Sequence, residues 1–293
     1  MTRADNRPAA PRSGPDDGRD DGREEAADTG RISAAYPPPR VARRRRPGDT
    51  WRMLARGLGQ TLVTAGLVVL LFVVYEVYVT DLFADRRQEA VADDLRGAWE
   101  AEDPTVAATP GVPLAEVPIG EGFAFIRVPR LGTDYVRAVV EGSGAEELAQ
   151  GPGHYVGTAM PGEVGNFAVA GHRVGTGSPF LDLDLLLPAD AIVIETVDQW
   201  FTYRVLGDPA TGDFGADPSG IPGMQIVSPD EVDVISPTPD APAGTPPSGA
   251  YLTLTTCHPK YSARQRLIVH AVLEGGPIAK AGAPNGPPAL TGD

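Results

Sequence analysis

YLTLTTCHPKYSARQRLIVHAVL, residues 251–273, decides how the rest of the chain is read. It divides into two strands and a short connection. The first strand runs from Leu252 to Cys257, the only cysteine in the chain, and the second from Arg266 to Leu273. Side chains alternate across a strand, so Leu252 and Leu254 share one face while Thr253, Thr255 and Cys257 share the other. In the second strand Leu267, Val269, Ala271 and Leu273 form an unbroken apolar face, and Arg266, Ile268 and His270 take the opposite one. If the strands are neighbours, the Cys257 thiol and the Arg266 guanidinium meet on one surface, away from the apolar faces. A nucleophile and a charge stabiliser need that placement.

Upstream, from Ile119, the chain is a series of short strands punctuated by Gly/Pro turns. Expected strands are 123–128, 136–141, 166–172, 191–196, 201–206, 232–235, 252–257 and 266–273. Their number and spacing point to one mainly β domain, a barrel or a sandwich, over 119–276. Short helical turns are expected at 146–150 and 181–187. The polar Gly/Pro/Asp stretch 207–224 reads equally as a mobile active-site loop or as a surface insertion. Residues 277–293 are again rich in Pro and Gly and are expected to be a disordered tail.

Further out, the N-terminal third has a different character. Residues 1–50 are polar, with almost no large apolar residues, and are expected to be disordered. Arg40, Arg43, Arg44, Arg45, Arg46, Arg52 and Arg56 form a basic flank. Gly57 to Tyr75 then contains no charged residue. Those 19 residues span roughly 28 Å as a helix, the thickness of a bilayer core. The polar lead is too long for a signal peptide, and a core helix is disfavoured because the stretch has no polar face. Residues 51–80 are therefore expected to be one transmembrane helix with a basic flank. The arginines place its N-terminal side in the cytoplasm and the rest of the chain outside. Residues 81–118 read as a stalk helix followed by a Pro-rich linker.

Charge and composition narrow the function classes. The whole chain is −14 and its first 80 residues sum to about +3, leaving about −17 on the remainder. An acidic domain of this kind does not suit nucleic acid. One cysteine excludes an internal disulfide and Cys-based zinc sites. The four histidines, at 154, 172, 258 and 270, are scattered, and no pair shows metal-ligand spacing on a helix.

A cysteine acts as a nucleophile only as thiolate and needs a base or a positive charge nearby. His172 is the best candidate base. It ends GNFAVAGHR, where the small residues Ala168 and Ala170 share its face and leave room for a ligand. His270, on the Arg266 face, is the rival. His258 adjoins Cys257 but points to the other side, and His154 sits in a turn. Arg266 stays charged at any working pH and can stabilise an oxyanion. Taken singly, a lone cysteine is usually a small core residue, and a histidine or arginine a structural one. The Thr-rich face around Cys257 argues against the core reading.

TLTTC at 253–257, an arginine nine residues on leading into RLIV, and AGHR at 170–173 together resemble the sortase family. The similarity extends through PGHYVGTAMPGEVGNFAVAGHR and covers roughly 119–273. TLTTCHP, the GPGHY block and the N-terminal anchor look most similar to the class E branch of actinobacterial type. The resemblance implies an eight-stranded β-barrel and a membrane-bound cysteine transpeptidase that needs no cofactor. Cys257 would be the nucleophile, His172 the general acid/base and Arg266 the substrate and oxyanion stabiliser. Partners would be secreted proteins with C-terminal sorting signals of the Leu-Ala-x-Thr-Gly or Leu-Pro-x-Thr-Gly kind, and an amine on a cell-wall peptidoglycan precursor. Two other readings fit the residues: an anchored cysteine peptidase acting by hydrolysis, and a non-catalytic extracytoplasmic binding domain. Papain-like enzymes place Cys before His in the chain, the reverse of the order here.

Overall fold

The structure is a computed structural model that describes residues 47–75, 80–101, 117–242 and 244–291. Most of the expected N-terminal tail, and residues 102–116 of the expected linker, lie outside these. Helix α1 spans Pro47–Val74. Among the described residues it alone is long and apolar enough to cross a membrane, over Thr50–Val74. Helix α2 spans Thr80–Ala101.

Ten strands follow: β1 Gly122–Arg127, β2 Val136–Glu141, β3 Gly153–His154, β4 Gly165–Ala170, β5 Ala191–Glu195, β6 Gln199–Val205, β7 Met224–Val227, β8 Ala250–His258, β9 Gln265–Leu273 and β10 Ile278–Ala279. Eight of them close into a barrel in the order β6-β5-β1-β2-β3-β4-β8-β9, with β9 returning to β6 through pairs such as Tyr203 with Leu273. Strand β7 adds to the free half of β9, and β10 to the edge of β6. The β2–β3 and β4–β8 pairs are parallel and the others antiparallel.

Alternation fills the barrel. Phe167 and Val169 of β4, Leu252 and Leu254 of β8, and Leu267, Val269 and Ala271 of β9 point inward with Ile126, Ile194 and Tyr203. The outer face of β1 and β2 is also buried, because α2 lies on it: Ala92 and Leu95 pack with Phe125 and Ala138. The helix expected as a stalk is thus a layer of the globular part.

Two further expectations are corrected, and the two readings left open for 207–224 are decided. Residues 232–235 form a 3-10 turn instead of a strand, which drops Val234 and Ile235 together onto Val227 and Ile268. The strand on the outer edge of β9 is β7, eight residues earlier. Residues 207–224 are pinned by Asp side chains that cap their own turns, and Ile221 is buried with Leu206 and Tyr251. Tyr251 lies six residues before Cys257, about 20 Å along β8, so this packed insertion sits at the far end of the strand from the thiol. The expected disordered tail is ordered over 278–291. β10 pairs with Gln199 and Trp200, Lys280 Nζ reaches Glu195 Oε1 at 2.8 Å, and Trp200 Nε1 donates to Ala283 O at 3.0 Å.

Candidate active site

β8 and β9 pair with Cys257 directly opposite Arg266. The parallel β4–β8 pairing sets Gly165 beside Ala250 and Ala170 beside Thr255, a constant offset of 85 residues. Continued for two residues, that register places His172 opposite Cys257. One ladder bond follows the strand, Gly171 N donating to Thr255 O at 3.0 Å, and the Gly171 carbonyl is then taken by the Thr256 hydroxyl at 2.8 Å. On that extension the three candidates would line up in a row across three neighbouring chain segments. Cys257 would be in the middle, with Arg266 as its strand-paired neighbour.

Each position has a local cause. Gly171 is required by close approach, since a Cβ there would lie 2.4 Å from Phe180 Cδ2. Phe180 is fully buried, and its backbone N–H donates to His172 O at 3.0 Å, so the histidine turn is seated on the core. His172 and Cys257 are both half-buried. Partial burial holds the His172 imidazole below the ordinary histidine pKa, which favours its neutral form. Arg266 Nη1 donates to Ala263 O at 3.0 Å and to Gln265 O at 3.1 Å, so the cation folds back on its own turn beside the row.

The rival histidines have other partners. His270 is completely buried, and its Nδ1 meets Thr253 Oγ1 at 2.9 Å. Thr253 is four residues from Cys257, about 13 Å along β8. Burial depresses the His270 pKa to about 3. His154 is also buried, with Nδ1 2.7 Å from Glu141 Oε2 and Nε2 2.8 Å from Thr158 Oγ1. His258 faces away from the row and meets Arg173.

The outer face beneath the row is not open along its whole length. At the level of Thr253 it is roofed by the 232–235 turn, and Asn166 Nδ2 donates to Ser236 O at 3.0 Å. At Thr255 a second group arrives: Tyr155 Oη and Thr255 Oγ1 are 2.9 Å apart. Tyr155 escaped the sequence reading. The available signal was Thr255, which shares the Cys257 face and needs a hydrogen-bond partner if buried.

Among the described residues no cluster of three or more His, Cys, Asp or Glu is arranged to hold a metal. A neutral imidazole, a half-buried thiol and a guanidinium in one row can carry out acyl transfer: attack by sulfur, proton shuttling by imidazole, charge stabilisation by the cation.

The comparisons with known proteins agree with this chemistry. The model of the Sortase domain matches residues 126–274. Sortase SrtE1 of Streptomyces coelicolor is 34% identical over 78% of this chain and 60% of its own length, so the match leaves a large part of that relative uncovered. Sortase SrtE2 of the same organism is 33% identical over 77% of this chain and 84% of its own length. Among solved structures, the SrtF sortase from Corynebacterium diphtheriae is similar with a TM-score of 0.54 and 38% identity, covering 62% of this chain and 98% of that one. The chain belongs to the sortase family, as a class E-like member of actinobacterial type.

Proposed function

We propose that this protein is a membrane-anchored transpeptidase that cleaves a C-terminal sorting signal between Thr and Gly and joins the Thr carbonyl to a cell-wall amine. What supports the reading is Cys257 paired opposite Arg266 across β8 and β9, with His172 two residues past the end of β4, the strand beside β8. Cys257 sulfur attacks the Thr carbonyl as its proton passes to His172. Arg266 swings from its own turn to hold the developing oxyanion. His172 returns the proton to the departing Gly amine, and the C–N bond breaks to leave a thioester on Cys257. An acceptor amine then attacks the thioester, loses its proton to His172 and expels the thiolate. Water resolves the thioester slowly when no amine arrives.

The signal is of the Leu-Ala-x-Thr-Gly or Leu-Pro-x-Thr-Gly kind, carried by secreted proteins, and the acceptor is a peptidoglycan-precursor amine. The charge asymmetry about α1 puts residues 1–50 in the cytoplasm and the barrel outside.

The test uses the full-length chain in detergent, mixed with each signal peptide, with and without an oligoglycine or diaminopimelate-type amine, and followed by intact mass. A Cys257-dependent acyl adduct that becomes an amide product on adding amine is expected. Free acid formed at an unchanged rate with amine present would instead make the protein a hydrolase. Folded protein with no adduct from either peptide would point to a binding domain.

A further inference from the structure

Behind the row lies a buried cation. Arg173 is only 2% exposed, although a guanidinium cannot shed its charge. Its Nη2 is 2.8 Å from Asp184 Oδ1, its Nε donates to Leu181 O at 3.2 Å, and its Nη1 lies 3.3 Å from His258 Nδ1. A guanidinium has only donors, so His258 must accept at Nδ1 and carry its proton on Nε2. Lys260 Nζ ties the next segment in, 3.0 Å from Asp182 Oδ1 and 3.9 Å from Asp184 Oδ1.

The placement follows the register. The offset of 85 that β4 and β8 keep through Ala170 and Thr255, carried on, would set Arg173 against His258, and the 3.3 Å contact between their side chains agrees with it. Successive residues of an extended chain point to opposite sides. Arg173 is accordingly buried in contact with His258, while His172, Cys257 and His258 all stay partly exposed. We propose that Arg173 is a positioning residue: by clasping His258 and Asp184 behind the site, it holds the His172 turn in register with the Cys257 strand end. This inference rests on the transpeptidase reading for its kinetic consequence.

The turn needs such a clasp. Regular β4 pairing stops at Ala170. Beyond Arg173 the chain passes through Gly175, Thr176, Gly177 and Ser178, all at positive φ, and Thr176 and Ser178 carry side chains that disfavour that region. No strand ladder supports this segment. Burying a charge is costly, and the carboxylate and imidazole offset that cost only while all three stay in place. A histidine released from this clasp drifts relative to the thiol, and a misplacement of about 1 Å at a reacting group costs on the order of 100-fold in rate.

The test compares full-length wild type with Arg173→Ala, Arg173→Lys, His258→Ala and the Arg173→Ala/His258→Ala double variant. Peptide acylation is measured at saturating and limiting peptide, with thermal melting alongside. Arg173→Ala is expected to lose about 30- to 100-fold in kcat with KM within about 3-fold. Arg173→Lys should recover part of this, since an ammonium can meet Asp184 but not hold His258 at the same time. The double variant should be no slower than Arg173→Ala, because both changes open one clasp. Losses that multiply, or both Arg173 variants within about 2-fold of wild type, would overturn the proposal. If Arg173→Ala does not fold, Arg173→Lys decides by the same kcat criterion. Wild type that forms no adduct would refute the transpeptidase reading by itself. The clasp is then judged from the imidazole signals of the four histidines: the His172 signal should shift or broaden in Arg173→Lys, and an unchanged signal would overturn the positioning role.

Discussion

Cys257 and Arg266 face each other because two strands pair without a bulge between Tyr251 and His258, so a change at either position tests chemistry more than fold. Cys257→Ala is expected to give no acyl adduct while melting like wild type. Arg266→Lys keeps the charge but loses the planar fork, and we expect kcat to fall about 100-fold; near-normal turnover would remove Arg266 from the oxyanion role. His270 shares the Arg266 face yet belongs to the interior. Its folded pKa, about 3, lies below the ordinary 6.5 that it regains on unfolding. The unfolded chain therefore binds the extra proton more tightly. The stability held by neutral His270 is complete above about pH 6.5 and is lost as pH falls toward 3, at up to about 1.4 kcal/mol per pH unit. Melting at pH 4.5, 5.5 and 6.5 should show a shallower acid loss in His270→Gln than in wild type, with turnover at pH 7 little changed. Equal slopes would mean that His270 is protonated in the fold. Strand alternation made the face of every one of these residues legible. What hides His270 comes from a different part of the chain, the 232–235 turn and Gln225, so its burial could not be read from its own strand.

Elements were legible where they carry their own pattern. β2 was expected at its observed limits, and β1, β4, β5, β6, β8 and β9 within two residues of theirs, because each alternates or runs apolar between turn residues. The failures are elements that depend on a neighbour. β3, β7 and β10 are two, four and two residues long and exist by pairing to β2 and β4, to β9 and to β6. Residues 232–235 carry strand-like alternation, but Val234 O accepts from Asn166 Nδ2, so the segment is used as a plug. α2 was read as a stalk because its apolar stripe is thin, and one polar side chain adds to its docking. Gln88 Nε2 donates to Gln150 O at 2.6 Å, and its Oε1 accepts from Ala138 N. Gln88→Ala leaves both backbone groups without these partners, at a cost of about 1–3 kcal/mol. The expected result is a lower melting temperature and faster hydrogen exchange at the Ala138 amide. Unchanged exchange there would mean that Gln88 does not hold the helix on the barrel.

At the scale of the whole molecule, the distribution of charge makes the largest claim. Seven arginines lie between residues 40 and 56, the chain is uncharged from Gly57 to Tyr75, and an acidic domain follows. The basic flank should remain in the cytoplasm, where crossing is disfavoured for clustered arginines, and the barrel should reach the side where wall precursors are exposed. A single cysteine in the chain makes this testable without engineering a reporter. In protoplasts of an expressing bacterium, a membrane-impermeant maleimide should label Cys257 before permeabilisation. Its half-buried thiol reacts more slowly than in denatured protein, so labelling is scored against a denatured control. The companion variant moves the thiol to the other side: Ser13→Cys in a Cys257→Ala background should label only after permeabilisation. If Cys257 is protected in intact protoplasts and Ser13→Cys is not, the orientation is reversed. The barrel would then lie in the cytoplasm, and wall attachment would be ruled out whatever chemistry the row His172–Cys257–Arg266 performs on peptides in detergent.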